Sequence, residues 1–161
     1  MASNVARRQV LSALQSSWLA HTIGESQMLT ASLSALHLIG FTLVMGSAVV
    51  SNLRLVGVLF ADQPAAEVTR PARRALLFGV CLSAVTGSLL FMPRAASAMT
   101  NDFFRVKIAL LVVALLFLVT VQSRVARRAS TAPGTARVAG ATGLALWFGV
   151  ALAASAFILI E

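Results

Sequence analysis

The chain has 161 residues, a formal net charge of +8 and a mean hydropathy of +0.88. Hydrophobic residues make up 58% of it and charged residues 11%, against about 45–50% and about 25% in a soluble domain. This composition excludes an ordinary soluble domain, a disordered chain and, with Cys81 as the single cysteine, a secreted disulfide scaffold. It predicts one integral membrane domain over residues 1–161.

Residues 5–23 have the pattern of an interfacial helix. Val10, Leu11, Leu14 and Trp18 fall within about 100° of one another on a helical wheel, with mostly polar residues opposite. We expect this helix to lie flat on the membrane surface with Trp18 at headgroup level. The segment is too polar for the apolar core of a signal peptide, so we expect it to be retained.

Four apolar stretches without charges follow. As helices they are long enough to cross a hydrocarbon core of about 30 Å, and we predict spans at about 28–52, 73–93, 103–124 and 138–160. Pro71 is expected to start span two and Pro93 to close it. Because the backbone in lipid must satisfy its own hydrogen bonds, the predicted fold is an all-α, four-helix transmembrane bundle preceded by an interfacial amphipathic helix.

The positive charges favour one orientation and one class of partner. The segments between spans one and two and between spans three and four carry eight Lys and Arg residues, and the other side carries five. The positive-inside rule therefore predicts both termini outside the cytoplasm, in a bacterial inner membrane. Since the cations flank apolar runs, the expected partners are the lipid bilayer and a second copy or another membrane protein, and not nucleic acid.

Small residues recur at intervals of four in two of the spans. They are Gly79, Ser83 and Gly87 in span two, and Ala141, Ala145, Gly149 and Ala153 in span four. Lipid tails are as apolar as leucine, so close packing at small residues is what holds membrane helices together. We expect these stripes to be helix–helix contacts; the alternatives are a dimer interface or the close approach of a cofactor.

His37 is the residue that most suggests chemistry, because it lies in the outer half of span one among apolar residues. An ionisable side chain at that depth indicates a functional site by default. Three interpretations stay open: a structural imidazole bonded to a neighbouring backbone or hydroxyl group, a haem or metal ligand, and a proton or quinone role. His21 is a second candidate haem ligand or, alternatively, an interfacial side chain.

Met92 and Met99 lie near the outer end of span two. Their thioethers, together with His37, suit Cu(I), although methionine in a membrane core more often only packs. The sequence therefore leaves the cofactor open between haem b and copper.

Four residues are expected to anchor the protein at the membrane interfaces: Trp18, Arg54, Arg105 and Lys107. Arg54 is expected to pair with Glu67 or Asp62, or with a lipid phosphate. Asp102 is expected to cap span three and to pair with Arg105 or Lys107.

The residue inventory argues against an autonomous enzyme. The acidic residues all fall at interfaces or in loops, so no buried carboxylate pair is expected. The chain also has no credible Ser-His-Asp spacing, no phosphate-binding glycine loop and no H-E-x-x-H motif.

Five short runs resemble, in their order and spacing, a bacterial family of four-span membrane proteins with a domain of unknown function. The runs are Ser17–Ser26, Leu36–Gly40, Asn52–Gly57, Thr86-Gly87 with Phe91, and Phe104–Lys107. The Thr-Gly and Phe-x-x-Lys features are more distantly similar to the membrane domain of the copper-resistance protein CopD.

The resemblance implies a four-span bundle with copper handling or a haem-containing redox module as its function class. It makes His37 the family's span-one histidine, and Arg54 and Lys107 its basic interface positions. The chain departs from the pattern at Asn52 and at Val119–Gln122, where a histidine is expected near the end of span three.

We therefore expect a non-catalytic integral membrane protein that binds haem or copper through His37, or that serves as the membrane subunit of a redox or metal-handling system. The alternative is a structural membrane anchor or assembly subunit without a cofactor. A small transporter has less support, because the spans hold no buried acid to couple to.

Overall fold

Eight helices form the described part of the computed structural model, which covers residues 2–127 and 133–160, with side chains for 9–127 and 133–156. In chain order they are α1 (Ala2–Gln15), α2 (Trp18–Glu25), α3 (Gln27–Val56), α4 (Ala65–Phe91), α5 (Ala95–Thr100), α6 (Asp102–Phe117), α7 (Ser123–Arg127) and α8 (Pro133–Ile160). A 3-10 turn, Met92–Arg94, joins α4 to α5, and a π-helical turn, Leu118–Gln122, joins α6 to α7.

Four helical stretches are long and apolar enough to cross a membrane: Gln27–Val56, Ala65–Thr100, Asp102–Arg127 and Pro133–Ala156. Only 11% to 33% of the most apolar part of each stretch is buried inside the protein. Large apolar side chains such as Leu38, Phe78 and Leu152 point outward instead, as expected where lipid is the solvent. The predicted all-α, four-helix transmembrane fold is confirmed.

α3 is the central helix of the bundle, since it packs against both α4 and α8, while α6 packs against α8. The backbones of α4 and α6 stand further apart than those of these three pairs. The residues that meet in the core are Val44, Ala48, Leu76, Ala114, Leu118, Trp147 and Val150. Trp147 is the largest of the fully buried side chains.

α3 and α4 approach each other closely enough for backbone to touch backbone. A Cβ atom on Gly79 would lie 2.7 Å from the Gly40 carbonyl oxygen, and one on Gly40 would lie 3.0 Å from the Gly79 carbonyl oxygen. Further along α4, a Cβ atom on Gly87 would lie 2.9 Å from Cε1 of His37. The small-residue stripe of span two thus faces α3 of the same chain.

α8 is rotated about its axis away from the orientation that the stripe of small residues predicted for it. Ala141 and Ala145 are exposed, Gly149 is half-buried with Leu110 at 3.5 Å from the position of a Cβ atom, and Ala153 is buried. The residues of α8 that face the core are Ala139, Gly140, Gly143, Trp147, Val150 and Ala153. The large ring of Trp147 fills the core among Val44, Ala48 and Leu118, and Gly140 and Gly143 allow close contact with α3, so packing and not the alanine ladder sets the rotation.

The segment predicted as one interfacial helix over 5–23 forms two helices, α1 and α2. The break occurs at Ser17, whose hydroxyl accepts a hydrogen bond from the Ala20 N–H at 3.3 Å and so caps α2. α1 and α2 pack on the turn and short helix that connect α4 to α6, where Gln15 Nε2 donates to the Pro93 carbonyl oxygen at 3.2 Å. These helices therefore cover the end of the bundle at which α3 begins.

Two helix starts also differ from the sequence prediction. α4 begins at Ala65 after Pro64, and Pro71 lies inside the helix instead of opening it. Its missing N–H leaves one carbonyl without an intrahelical partner, a loss confined to the early turns of α4. α6 is capped by Asn101, whose Oδ1 accepts from the Phe103 N–H at 2.9 Å, and not by Asp102.

We expect Gly79→Ala to lower the free energy of unfolding by about 1–3 kcal/mol, because the new methyl group has no space against the α3 backbone. Unfolding of the detergent-solubilised protein, followed by circular dichroism, measures the change. Gly46→Ala is the matched control in α3, since a Cβ atom there meets nothing within 4 Å. Equal stability of the two variants would contradict the close α3–α4 contact.

Candidate functional site

His37 points from α3 to α4, where its ring makes a hydrogen bond with a hydroxyl group. Its Nδ1 lies 3.1 Å from Thr86 Oγ1. The Thr86 hydroxyl lies 2.7 Å from the Leu82 carbonyl oxygen, and a carbonyl only accepts, so the single hydroxyl proton points there. The hydrogen bond between His37 and Thr86 therefore needs its proton from Nδ1. In the neutral imidazole this leaves Nε2 with a free lone pair.

Two more residues of α4 fix the position of this histidine. The ring lies against Gly87, where a Cβ atom would come within 2.9 Å of Cε1 and 3.2 Å of Nδ1. Ser83 Oγ donates to the His37 carbonyl oxygen at 3.4 Å. Ser83 and Gly87, with Thr86 between them, form one face of α4, so the orientation of the half-buried imidazole is set by backbone proximity and by a hydrogen bond together.

Lys107 of α6 is placed level with His37 by the packing of α4 on α6. Phe91 and Phe104 stack with their ring centroids 5.5 Å apart and their planes at 13°. From this stack, one turn back along α4 leads to Gly87, and one turn forward along α6 leads to Lys107. Because the two helices run in opposite directions, Lys107 lies at about the level of Gly87 and His37 along the bundle.

The two basic residues at the start of α6 have different surroundings. Arg105 is exposed, and its Nη1 lies 3.3 Å from Asp102 Oδ1, one of the two predicted partnerships. Lys107 is half-buried. Within the described ranges, the ion pairs do not include Lys107, which leaves its ammonium group without a carboxylate partner there.

The other predicted ligands lie elsewhere. His21 is exposed on α2, with its Nδ1 3.2 Å from Glu25 Oε2. Met92 lies in the 3-10 turn and Met99 in α5, both half-buried and both beyond Phe91 as seen from His37. Among the residues with described placement, no group of three His, Cys, Asp or Glu side chains is arranged to hold a metal ion.

The predicted interface anchors are partly engaged within the protein. Arg54 donates from its Nε to the Gln63 carbonyl oxygen at 3.0 Å, and its Nη2 donates to the same oxygen. It thus closes the loop between α3 and α4 instead of pairing with Glu67 or Asp62. Trp18 is 77% exposed at the start of α2.

A groove of about 550 Å³ opens on the side of α3 and α4. Its walls include Thr42, Gly46 and Val50 of α3 and Ala72 of α4, with Phe60 of the connecting loop at one end. The groove does not include His37, and no titratable side chain lines it.

The sequence analysis missed a second buried polar cluster, formed by Asn52 and Gln122, whose exposed fractions are 0% and 3%. Asn52 Nδ2 donates to the Ala48 carbonyl oxygen at 2.7 Å, and Gln122 Nε2 donates to Asn52 Oδ1. The Gln122 Oε1 atom is buried without a partner among the described residues. α8 makes room for this pair at Gly140 and Gly143, where a Cβ atom would overlap the backbone and side chain of Asn52.

Two features of the sequence pointed to this cluster without identifying it. Asn52 and the run Val119–Gln122 are the two places where the chain departs from the resembled pattern, and Gly140 and Gly143 lie three residues apart in span four. What the sequence did not indicate is the π-helical turn Leu118–Gln122. The extra residue in that turn changes the rotation of the helix beyond it, and Gln122 is buried at its end.

The hydrogen bond between Asn52 and Gln122 predicts energetic coupling. In a cycle of Asn52→Ala, Gln122→Ala and the double variant, we expect a coupling free energy of about 0.6–1.7 kcal/mol, the range found between polar groups in membrane helices. Reversible unfolding in detergent measures it. The cycle of Asn52→Ala with Thr42→Ala is the control, since Thr42 is exposed and bonds only to its own helix; additive effects in both cycles would refute the pairing.

Comparison with known proteins places the chain in a family but gives no activity. A family model described as a family of unknown function (DUF6644) matches residues 15–159, which include both polar clusters. This bears out the resemblance to a family with a domain of unknown function. No curated protein and no solved structure matches the chain, so the expected similarity to CopD has no support. The chain belongs to the DUF6644 family.

Proposed function

We propose that this protein is a membrane-embedded cofactor protein that holds haem or copper through Nε2 of His37, by itself or as the membrane subunit of a redox or metal-handling system. The observation that carries the proposal is the hydrogen bond between His37 Nδ1 and Thr86 Oγ1, together with the bond from Thr86 to Leu82. It leaves Nε2 as the nitrogen that is free to coordinate. Ligating histidines are commonly fixed in this way, with the other ring nitrogen donating to a nearby acceptor.

Nε2 of His37 is accessible as well as free. Within the described part of the chain, Nδ1 has its partner in Thr86 and Nε2 has none. Nε2 is not among the buried polar atoms that lack a partner there, so a ligand can reach it. A structural role uses only Nδ1, whereas coordination uses both ring nitrogens.

The chemistry of the donor suits such a ligand. Gly87 provides the space in which the ring sits, and Thr86 holds the neutral tautomer that metals require. When bound, a haem iron or a copper ion would supply one-electron chemistry. The part of His37 is to bind and orient it, and the part of α3 and α4 is to keep the imidazole in one rotamer.

The rival proposal, a structural anchor that uses its small residues as a partner surface, has less support. Gly79, Ser83 and Gly87 face α3 of the same chain and are in contact with Gly40 and His37. The span-two stripe is filled within one chain and does not serve as a docking surface for another, which leaves the rival only the exposed Ala141 and Ala145 of α8.

We further propose that the protein lies in a bacterial inner membrane with both termini outside the cytoplasm. The support is the excess of cations, eight against five, in the segments between spans one and two and between spans three and four. In this orientation His37, in the first half of α3, lies in the outer half of the membrane.

The first test is the reduced-minus-oxidised visible spectrum of detergent-purified protein, with metal analysis of the same sample. We expect a Soret band or stoichiometric copper, and we expect His37→Ala to lose it because the coordinating nitrogen is gone. His21→Ala is the matched control, since that exposed residue pairs with Glu25. The proposal is overturned if His37→Ala retains the cofactor, or if the wild-type protein binds neither added haemin nor added Cu(I).

Thr86 is a positioning residue in this proposal. We expect Thr86→Val to weaken haemin or Cu(I) binding by about 10- to 100-fold, the usual effect of losing the group that orients a ligating histidine. Thr86→Ser keeps the hydroxyl acceptor and should restore the affinity. A titration of the purified apoprotein measures both, and equal weakening in the two variants would point to packing instead of hydrogen bonding.

A further inference from the structure

The groove on the side of α3 and α4 has a length that matches one leaflet of a bilayer. Its walls on α3 run from Thr42 to Val50, and Thr42 lies at the middle of this helix. Arg54 lies one turn beyond Val50, which places it about 18 Å from Thr42 along α3 at a rise of 1.5 Å per residue. One leaflet contributes half of a hydrocarbon core that is about 30 Å thick. The groove therefore extends from the centre of the membrane towards one of its interfaces.

The groove is apolar and open. Gly46 forms part of its α3 wall, and a Cβ atom there would meet nothing within 4 Å. Val68, Ala72 and Ala75 form much of the α4 wall. Its volume of about 550 Å³ lies within the range of about 300–1,000 Å³ that is usual for small-molecule sites. This size and lining suit a hydrocarbon chain better than a polar molecule.

The loop between α3 and α4 closes the interfacial end of the groove. Phe60 lines this end, and its φ of 50° is a left-handed conformation that a bulky residue rarely adopts. Gln63, which also lines the groove, braces the loop: its N–H donates to the Phe60 carbonyl oxygen at 3.0 Å, and its own carbonyl oxygen accepts from Arg54. Strained backbone of this kind is often found at ligand sites. The loop thus holds an aromatic ring at the groove end.

Arg54 brings a positive charge to the same end. Its Nε and Nη2 donate to one neutral oxygen, the Gln63 carbonyl, so three of the five N–H groups of the guanidinium are left for a ligand. The ion pairs of the described ranges do not include Arg54, so no carboxylate compensates its charge there. The planar guanidinium is the side-chain group best suited to phosphate oxygens. The end of an apolar groove is thus marked by a group that favours a phosphate.

We propose that this groove is a binding site for an anionic phospholipid, with one acyl chain between α3 and α4 and the phosphate group on Arg54. The apolar walls contact the chain, and the loop places the guanidinium where the headgroup of that leaflet lies. Because Arg54 carries an uncompensated charge, a lipid with a net negative charge is favoured over a zwitterionic one. His37 does not line the groove, so the inference does not depend on the function proposed for that residue.

The first arm of the test measures the preference for an anionic headgroup. Delipidated protein in detergent is titrated with phosphatidylglycerol and with phosphatidylcholine that carries the same acyl chains, and bound lipid is counted by native mass spectrometry. We expect phosphatidylglycerol to bind about fivefold more tightly, a typical contribution of one basic residue at a membrane surface. Arg54→Gln should remove this preference, and Arg54→Lys should keep it because the charge remains.

Arg70→Gln is the matched control for the charge. Arg70 is an exposed cation of α4, and on a helical wheel it lies about 150° away from the mean direction of the α4 residues that line the groove. This variant should keep the preference for phosphatidylglycerol. Equal losses in Arg54→Gln and Arg70→Gln would mean that overall surface charge selects the lipid. That result, or equal affinities of the wild-type protein for the two lipids, would overturn the assignment of Arg54.

The second arm tests where the acyl chain lies. Gly46→Leu puts a side chain into the groove and is expected to fold, since a Cβ atom at Gly46 has open space around it. We expect it to lower the affinity for both lipids by about 10-fold, as for an overfilled apolar site. Ala141→Leu, at an exposed position of α8, is the control and should leave both affinities unchanged.

Unchanged lipid binding in Gly46→Leu would overturn the groove as the lipid site. The same spectra report the mass of the protein assembly. If the wild-type protein is a dimer that dissociates in Gly46→Leu while lipid binding stays the same, the groove belongs to a second copy of the chain and the proposal is refuted.

Discussion

The contact between the backbones of α3 and α4 is the constraint from which the candidate site follows. Gly40 and Gly79 bring the two helices together more closely than side chains would allow. Only at this separation can Thr86 reach His37 with a hydrogen bond and Gly87 receive its ring. The glycines therefore serve two purposes, because the packing that stabilises the pair of helices also fixes the tautomer and orientation of the one histidine inside the bundle.

The bilayer gives polar contacts inside the bundle their importance. Apolar side chains gain little by moving from lipid to the protein interior, so hydrophobic burial does not determine which faces of the helices meet. The His37–Thr86 and Asn52–Gln122 contacts do, since each joins helices that are distant in sequence and each lies against glycine. They are about 22 Å apart along α3, at a rise of 1.5 Å per residue, and so fix the register of the bundle at two levels.

The fold was predictable because a lipid environment by itself requires an apolar composition and apolar runs that are long enough to cross the bilayer. The choice of His37 followed from the same logic, since an ionisable residue stands out in an apolar run. Its partners did not follow, because the hydrogen bond to Thr86 depends on the rotation of α4 against α3. The rotation of α8 was mispredicted from Ala141 and Ala145 because the volume of Trp147 outweighs a ladder of alanines. Burial of Gln122 depends on a π-helical turn. A prediction that assumes 3.6 residues per turn throughout the helix does not anticipate it.

Arg105 and Lys107, two residues apart in α6, have different surroundings in the bundle. A charge near a membrane interface is inexpensive if its side chain reaches water, and Arg105 does so with Asp102 beside it. Lys107 lies one turn beyond Phe104, whose stacking on Phe91 holds α6 against α4. Lys107 is half-buried on the same face of α6 as Phe104, so the direction in which a side chain leaves the helix, and not its distance from the helix start alone, decides whether a charge near the interface is exposed.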